Sequence, residues 1–342
     1  MKALVLSGGG ARGAFEAGFI CGWKDVQWDV ICGTSAGAIN GSFAAQDSYD
    51  ELQAVWSTIG SKGVLQLVPS VQHAKQFLTD VSDALGKHRP FEVFSAVGEL
   101  MKVGSVPLLL HELGAIDPQP ITQILAQYLK FEKLKRRFVV TATNITTRTA
   151  DTFYFIPDAG ERAKFASMVK PGKQRYQLLP TNYVSAVQAS TSIPGAFRPV
   201  DLAPTGAGAY QYVDGGVANN TPIGMAIDAG ADDVTVLFMD PIEDPAAIDG
   251  APGSRANSLA DVGVACFNVM QAKILEDDFK LAKRTNEAVA GAGSAGHKQV
   301  TIREIRPAQA LTVTVLDFDK QDRMDSAFSA GMAVAKGTPP PP

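Results

Sequence analysis

Histidine and cysteine are scarce, with four and three copies in 342 residues. An odd set of cysteines in a long chain, Cys21, Cys32 and Cys266, is no disulfide framework and suits a reducing compartment. Neither these nor His73, His88, His111 and His297 fall at metal-ligand spacing, and no acidic loop of EF-hand type occurs. No metal site is therefore expected. Long apolar runs are missing too. The most apolar internal stretch, Val103 to Leu110, is broken by Gly104 and Pro107 and is too short to span a bilayer. The start, Met1 to Leu6, meets glycines too soon to hold the apolar region of a signal peptide. The expectation is a cytoplasmic chain, at most peripheral at membranes. A net charge of −4 removes any electrostatic reason for a nucleic-acid partner.

What is present is the patterning of a large α/β protein. Lys2 to Ser7 reads as a short buried strand ended by glycines, and Gly13 to Trp23 carries Phe15, Phe19, Ile20 and Trp23 at helical spacing. Asp29 to Cys32 reads as a second strand and Ala36 to Ala45 as a small-residue helix. Alternation of this kind predicts a three-layer α/β/α sandwich with a largely parallel central sheet. Residues 47–120 are helical in period, with breaks at Pro69, Pro90 and Pro107, and read as an insertion or cap. Further along, an amphipathic helix is expected from Pro120 to Phe131 and another helix from Tyr183, stopped by Pro194. Strands are expected over 138–143, 152–156, 210–213, 234–239, 300–305 and 311–316, and a long helical region over 257–289. The whole reads as one domain, 1–337, followed by a disordered Pro-rich tail, 338–342.

Two glycine-rich turns stand between a strand and a helix. Gly33-Thr34-Ser35-Ala36-Gly37 is a G-x-S-x-G pattern: the serine sits on a turn so sharp that only small residues fit two positions either side, hence Gly33 and Gly37. The helix that follows directs N–H groups and positive dipole toward the place where an oxyanion forms. In Gly8-Gly9-Gly10-Ala11-Arg12-Gly13, successive glycines offer unblocked N–H donors that suit an oxyanion or a phosphate. Gly8, Gly10 and Gly13 also satisfy G-x-G-x-x-G, but the acidic residue due at the end of the second strand is missing, since that strand runs into the serine turn. A third element, Asp214-Gly215-Gly216, puts an aspartate where a strand turns, able to meet Ser35 across the sheet top.

Together with Ala189-Ser190-Thr191-Ser192-Ile193-Pro194-Gly195-Ala196-Phe197, and with Asn219, Asn220 and Pro222, these blocks resemble the patatin-like phospholipases, in the same order along residues 8–222. The resemblance implies a lipid acyl hydrolase of phospholipase A or lysophospholipase type, with a lipid or acyl-ester substrate and no cofactor. It implies Ser35 as nucleophile, Asp214 as its direct base in a dyad without histidine, and an oxyanion hole in the loop Gly8, Gly9, Gly10, Ala11, Arg12 and Gly13, centred on the N–H groups around Gly9, Gly10 and Ala11.

One chemical objection stands against the dyad. A carboxylate with an ordinary pKa of about 4 is a weak base near neutrality, so burial must raise it or the oxyanion hole must carry most of the stabilisation. The rival base is His297, which keeps the Ser–Asp–His chain order but lies in a polar glycine loop. A thioesterase or short-chain esterase using the same serine, and a nucleotide-binding protein using the glycine loop, are the alternative functions. Arg12 would contact a phosphate headgroup or anchor its loop. The cluster Lys133, Lys135, Arg136 and Arg137 would touch anionic lipid peripherally, or complement and solvate a helix end.

Overall fold

The computed structural model describes residues 1–62, 116–169, 171–206, 208–240 and 299–341, with further helical residues between 266 and 287. Its centre is a mixed, mostly parallel sheet flanked by helices on both faces. Strands β1 (Lys2–Leu6), β2 (Val30–Thr34), β3 (Arg137–Asn144), β4 (Thr149–Phe155), β5 (Lys173–Gln177), β6 (Val200–Leu202), β7 (Tyr210–Asp214), β8 (Asp233–Leu237) and β9 (Thr301–Ile305) join in the order β5-β4-β3-β2-β1-β8-β9, with β7 paired to β3 and β6 to β7. The run β3-β2-β1-β8-β9 is parallel throughout.

Strands buried on both faces alternate between two cores. Leu4, Leu6, Ile31, Phe138 and Val140 point to one, where they meet α1 (Gly13–Gly22), α2 (Ala36–Ala45), α3 (Tyr49–Trp56), α4 (Gln119–Tyr128), α6 (Tyr183–Ser190) and α8 (Gln321–Gly337). Ala3, Val5, Val30, Cys32 and Val139 point to the other, with Phe165 of α5 (Ala159–Ser167) and Met225 of α7 (Ile223–Asp228). The helix α8, for which the sequence pattern gives no expectation, lies directly on α1: a Cβ on Gly18 would stand 2.0 Å from Phe328 O, and one on Gly331 2.0 Å from Phe15 O. Only glycines let the two backbones approach this closely.

The segment 311–316 is the main departure from the expected strands. Val313 and Val315 are buried in alternation, as the pattern foretells, yet the segment joins no sheet. Its Val315 carbonyl accepts from Ala11 N–H at 2.9 Å, and Thr314 N–H donates to Asp317 Oδ2 at 2.9 Å. Period-two burial thus arises from packing on the glycine loop instead of from a ladder. At the chain's far end Pro341 is buried, and Lys2 Nζ donates to its carbonyl at 3.4 Å. Most of the expected insertion, 63–115, lies outside the described residues, as do Leu108 to Leu110 and all four histidines. No helix among the described residues is long and apolar enough to cross a membrane.

Candidate active site

Strand register brings the motifs to one edge. Leu6 of β1 pairs with Gly33 of β2, so the glycine loop and the serine turn leave adjacent parallel strands side by side. Thr34 pairs with Thr141 of β3, and the next β3 residue, Ala142, pairs with Asp214 at the end of antiparallel β7. Ser35 and Asp214 therefore flank the same point of β3, outside the carboxyl ends of the parallel strands, where open α/β sheets bind their ligands.

Ser35 has φ 54 and ψ −126, a left-handed conformation that costs a residue with a Cβ about 1–3 kcal/mol. The surroundings enforce it. A Cβ on Gly33 would meet Gly37 O at 2.2 Å, and one on Gly37 would meet Leu6 O at 2.5 Å, which is the crowding the G-x-S-x-G spacing predicts. Ser35 N–H donates to Ser190 Oγ at 2.9 Å, and Ser190 is fully buried. Ser190 thus holds the turn by its amide, a role that the sequence pattern does not single out. Ser190→Ala orphans that N–H. It is expected to cost about 1–3 kcal/mol of stability and to lower kcat about 10-fold with KM little changed, as steady-state kinetics beside thermal melts would measure.

The glycine loop wraps over the serine. A Cβ on Gly8 would lie 3.1 Å from Ser35 Cβ, and Gly10, at φ +58, has Val315 O where a Cβ would go, 2.1 Å away. Its N–H groups are not equivalent. Gly8 donates to Asn220 (3.1 Å to Oδ1, 3.3 Å to the carbonyl), Ala11 to Val315 O, Arg12 to Gly9 O at 3.2 Å, and Gly13 back to Gly10 and Ala11 carbonyls. Gly9 and Gly10 donate to no described residue. Ala11, expected among the free donors, is committed because the 311–316 segment reaches over to accept from it. Arg12 anchors the loop: its guanidinium donates to Asp240 Oδ1 at 2.7 Å, while Arg306 Nη1 grips the Asp240 carbonyl at 3.0 Å.

Beneath the loop a polar network fixes the strand-to-helix turn. Ser7 N–H donates to Glu16 Oε1 at 2.9 Å, Asn40 Nδ2 to Glu16 Oε2 at 3.2 Å, and Trp56 Nε1 to Asn40 Oδ1 at 2.8 Å. Burial holds the Glu16 carboxyl well above the usual carboxylate range, against the opposing pull of the Asn40 and Ser7 donors.

Asp214 is wholly buried. Gly216 N–H donates to its Oδ1 at 2.8 Å, and Oδ2 has no hydrogen-bond partner. Burial pushes its pKa up to about 7, with the neighbouring Ser35 hydroxyl and the Gly216 N–H acting against the rise. Beside Ser35 and Gly10 opens a narrow cavity walled by apolar side chains, among them Ile39, Val55, Ile121, Ile124, Ile193 and Phe197. Ile193 and Phe197 belong to the Ala189–Phe197 block of the family resemblance. Three residues of the basic cluster have acidic partners, Lys135 and Arg136 pairing with Asp47 at 3.2 and 3.3 Å and Arg137 with Glu161, while Lys133 and Lys135 stay exposed. Among the described residues no group of three or more His, Cys, Asp or Glu side chains could hold a metal ion.

The model of the family described as patatin-like phospholipase matches residues 4–227, a span holding the glycine loop, the serine turn and Asp214. The chain belongs to the patatin-like phospholipases. Membership in this family implies a lipid substrate and supports lipid acyl hydrolase activity. No curated protein matches the chain in sequence. Among solved structures, that of VipD from Legionella pneumophila is similar at 16% identity and a TM-score of 0.36, over 98% of this chain and 67% of that one.

Proposed function

We propose that this patatin-like protein is a serine acyl hydrolase in which Ser35 and Asp214 act as a dyad on the ester of a lipid acyl chain. The observation that carries it is the pairing of a strained Ser35 with a buried Asp214 whose Oδ2 has no hydrogen-bond partner and whose pKa stands at about 7. Such a carboxylate answers the objection that aspartate is too weak a base, because half of it is ionised near neutrality while it retains real proton affinity. Asp214 Oδ2 takes the Ser35 hydroxyl proton as Oγ attacks the ester carbonyl. Gly9 and Gly10 N–H groups, the uncommitted donors of the loop, hold the oxyanion, helped by the α2 N-terminus. The leaving alcohol collects the proton from Asp214, and water, activated by the same carboxylate, releases the acid from acyl-Ser35.

The apolar cavity beside Ser35 supports an acyl chain as the group bound there. It is narrow, and its walls come from α3 and α4 and from Phe318 and Phe197. Residues 1–337 would form a single catalytic domain carrying the 47–120 insertion. The test is acyl-chain profiling of p-nitrophenyl esters and phospholipids, with the acylated residue located by mass spectrometry. Turnover should rise with chain length beyond short acyl groups, and the acyl or fluorophosphonate adduct should sit on Ser35. Activity confined to acetate and butyrate esters would leave a short-chain esterase in place of the lipid enzyme. Equal labelling of wild type and Ser35→Ala would end the hydrolase reading altogether.

A further inference from the structure

Gln271 is a buried amide, 3% exposed, and among the described residues neither its Nε2 nor its Oε1 has a hydrogen-bond partner. It stands among the two motifs that make the site. A Cβ on Gly8 would lie 3.1 Å from both Gln271 Nε2 and Ser35 Cβ, and one on Gly216 would lie 2.3 Å from Gln271 Nε2 and 3.0 Å from Asp214 Oδ1. The bare glycines of the Gly8 loop and of the Asp214-Gly215-Gly216 turn thus leave the room that the carboxamide fills. Asn220 Oδ1, the other polar group at this spot, already accepts from Gly8 N–H. Gln271 is not among the walls of the apolar cavity, so it does not meet the acyl chain placed there.

Two buried polar groups therefore face an unmet need within one small space: the Gln271 carboxamide and Asp214 Oδ2. Buried polar atoms in folded proteins find partners almost without exception, and a water molecule needs two to four polar neighbours to be held. We propose that Gln271 is the water-positioning residue of deacylation, holding with Asp214 Oδ2 the water that cleaves acyl-Ser35. This rests on the acyl-enzyme reading above. In the step, the water oxygen forms its bond to the acyl carbonyl carbon while one of its protons passes to Asp214 Oδ2. Collapse of the tetrahedral adduct breaks the bond to Ser35 Oγ, which recovers that proton from Asp214, and the free carboxylic acid departs. Gln271 exchanges no proton; it accepts from and donates to the water so that a lone pair faces the carbonyl.

Acylation needs no such water, and this separates a water-positioning role from a structural one. In stopped-flow assays with a chromogenic long-chain ester, Gln271→Met, similar in volume but without hydrogen-bonding groups, should keep the burst rate within about 3-fold of wild type. Steady-state turnover should fall about 30-fold or more, and acyl-Ser35 should accumulate as a mass increment on the intact protein. Gln271→Asn keeps the carboxamide on a shorter stem and should hold turnover at least about 5-fold above that of Gln271→Met. Should Gln271→Met fold poorly, Gln271→Asn with Gln271→Leu forms the same comparison. If burst and steady state fall together in the variants, or if no acyl-enzyme accumulates in them while wild type shows a burst, the water-positioning role is overturned and the dyad stands. A wild type that never forms acyl-Ser35 overturns both.

Discussion

Replacing Ser35 with glycine should raise the melting temperature by about 2 °C and lower ester turnover by roughly 10⁵-fold or more. The two effects share one cause. Ser35 sits at φ 54 and ψ −126, where glycine is at ease and a Cβ is not, so the substitution releases about 1–3 kcal/mol of local strain. Glycine returns about 0.5–1 kcal/mol of that through the greater freedom of the unfolded chain, leaving a net gain near 1 kcal/mol. Ser35→Ala is the control. It loses the nucleophile equally but keeps the strained Cβ, so it should be as inactive and no more stable. Calorimetry of the three proteins at one pH reads the difference. Equal melting temperatures for the glycine and alanine variants would mean that the turn is not strained as described.

Asp214→Asn is expected to cut turnover about 10³–10⁴-fold while stabilising the protein at alkaline pH. The sign follows from the direction of the shift. The folded-state pKa of Asp214, about 7, is raised above its ordinary value of 3.8, so the folded chain keeps a proton that the unfolded chain releases. The stability this proton contributes is complete below pH 4 and is lost as pH rises through about 7. At pH 8 the ionised, buried carboxylate opposes folding by roughly 4 kcal/mol relative to its acid form. Asparagine keeps an acceptor for Gly216 N–H and cannot ionise. The variant's advantage in melts should therefore be largest at pH 8 and vanish near pH 4. In the wild type, kcat/KM should fall below a pH of about 7 as the base becomes protonated, and activity that stayed level from pH 8 to pH 5 would exclude Asp214 as the base.

Both predictions concern residues that the amino-acid sequence itself marks, and there is a physical reason why it marks these and not others. The G-x-S-x-G turn is a local steric problem: Gly33 and Gly37 are glycine because backbone carbonyls only a few residues away, or on the adjoining strand, occupy the space of a Cβ. Such constraints leave their mark within a short window, as do the β1 and α1 periodicities and the Asp214-Gly215-Gly216 turn. The glycine loop is legible as a loop, but not which of its donors remain free. Ala11 is withdrawn by Val315, some three hundred positions along the chain, and Gly8 by Asn220. The same segment shows why 311–316 reads as a strand: alternation reports burial, and burial does not name the partner.

The sequence by itself determined the α/β order, the serine turn at Ser35 with its glycines and the aspartate turn at Asp214, because each is written in spacing that sterics and periodicity impose on neighbouring residues. Only the tertiary structure decided that Asp214 is buried enough for its pKa to reach about 7, that Ser190 grips the Ser35 amide, that Gly9 and Gly10 donate to no described residue, and that Gln271 stands among the described residues without a partner, beside Ser35 and Asp214. These depend on which distant backbone or side chain arrives at a given point and how completely it excludes water, and neither quantity is a property of the residue or of its neighbours in the chain.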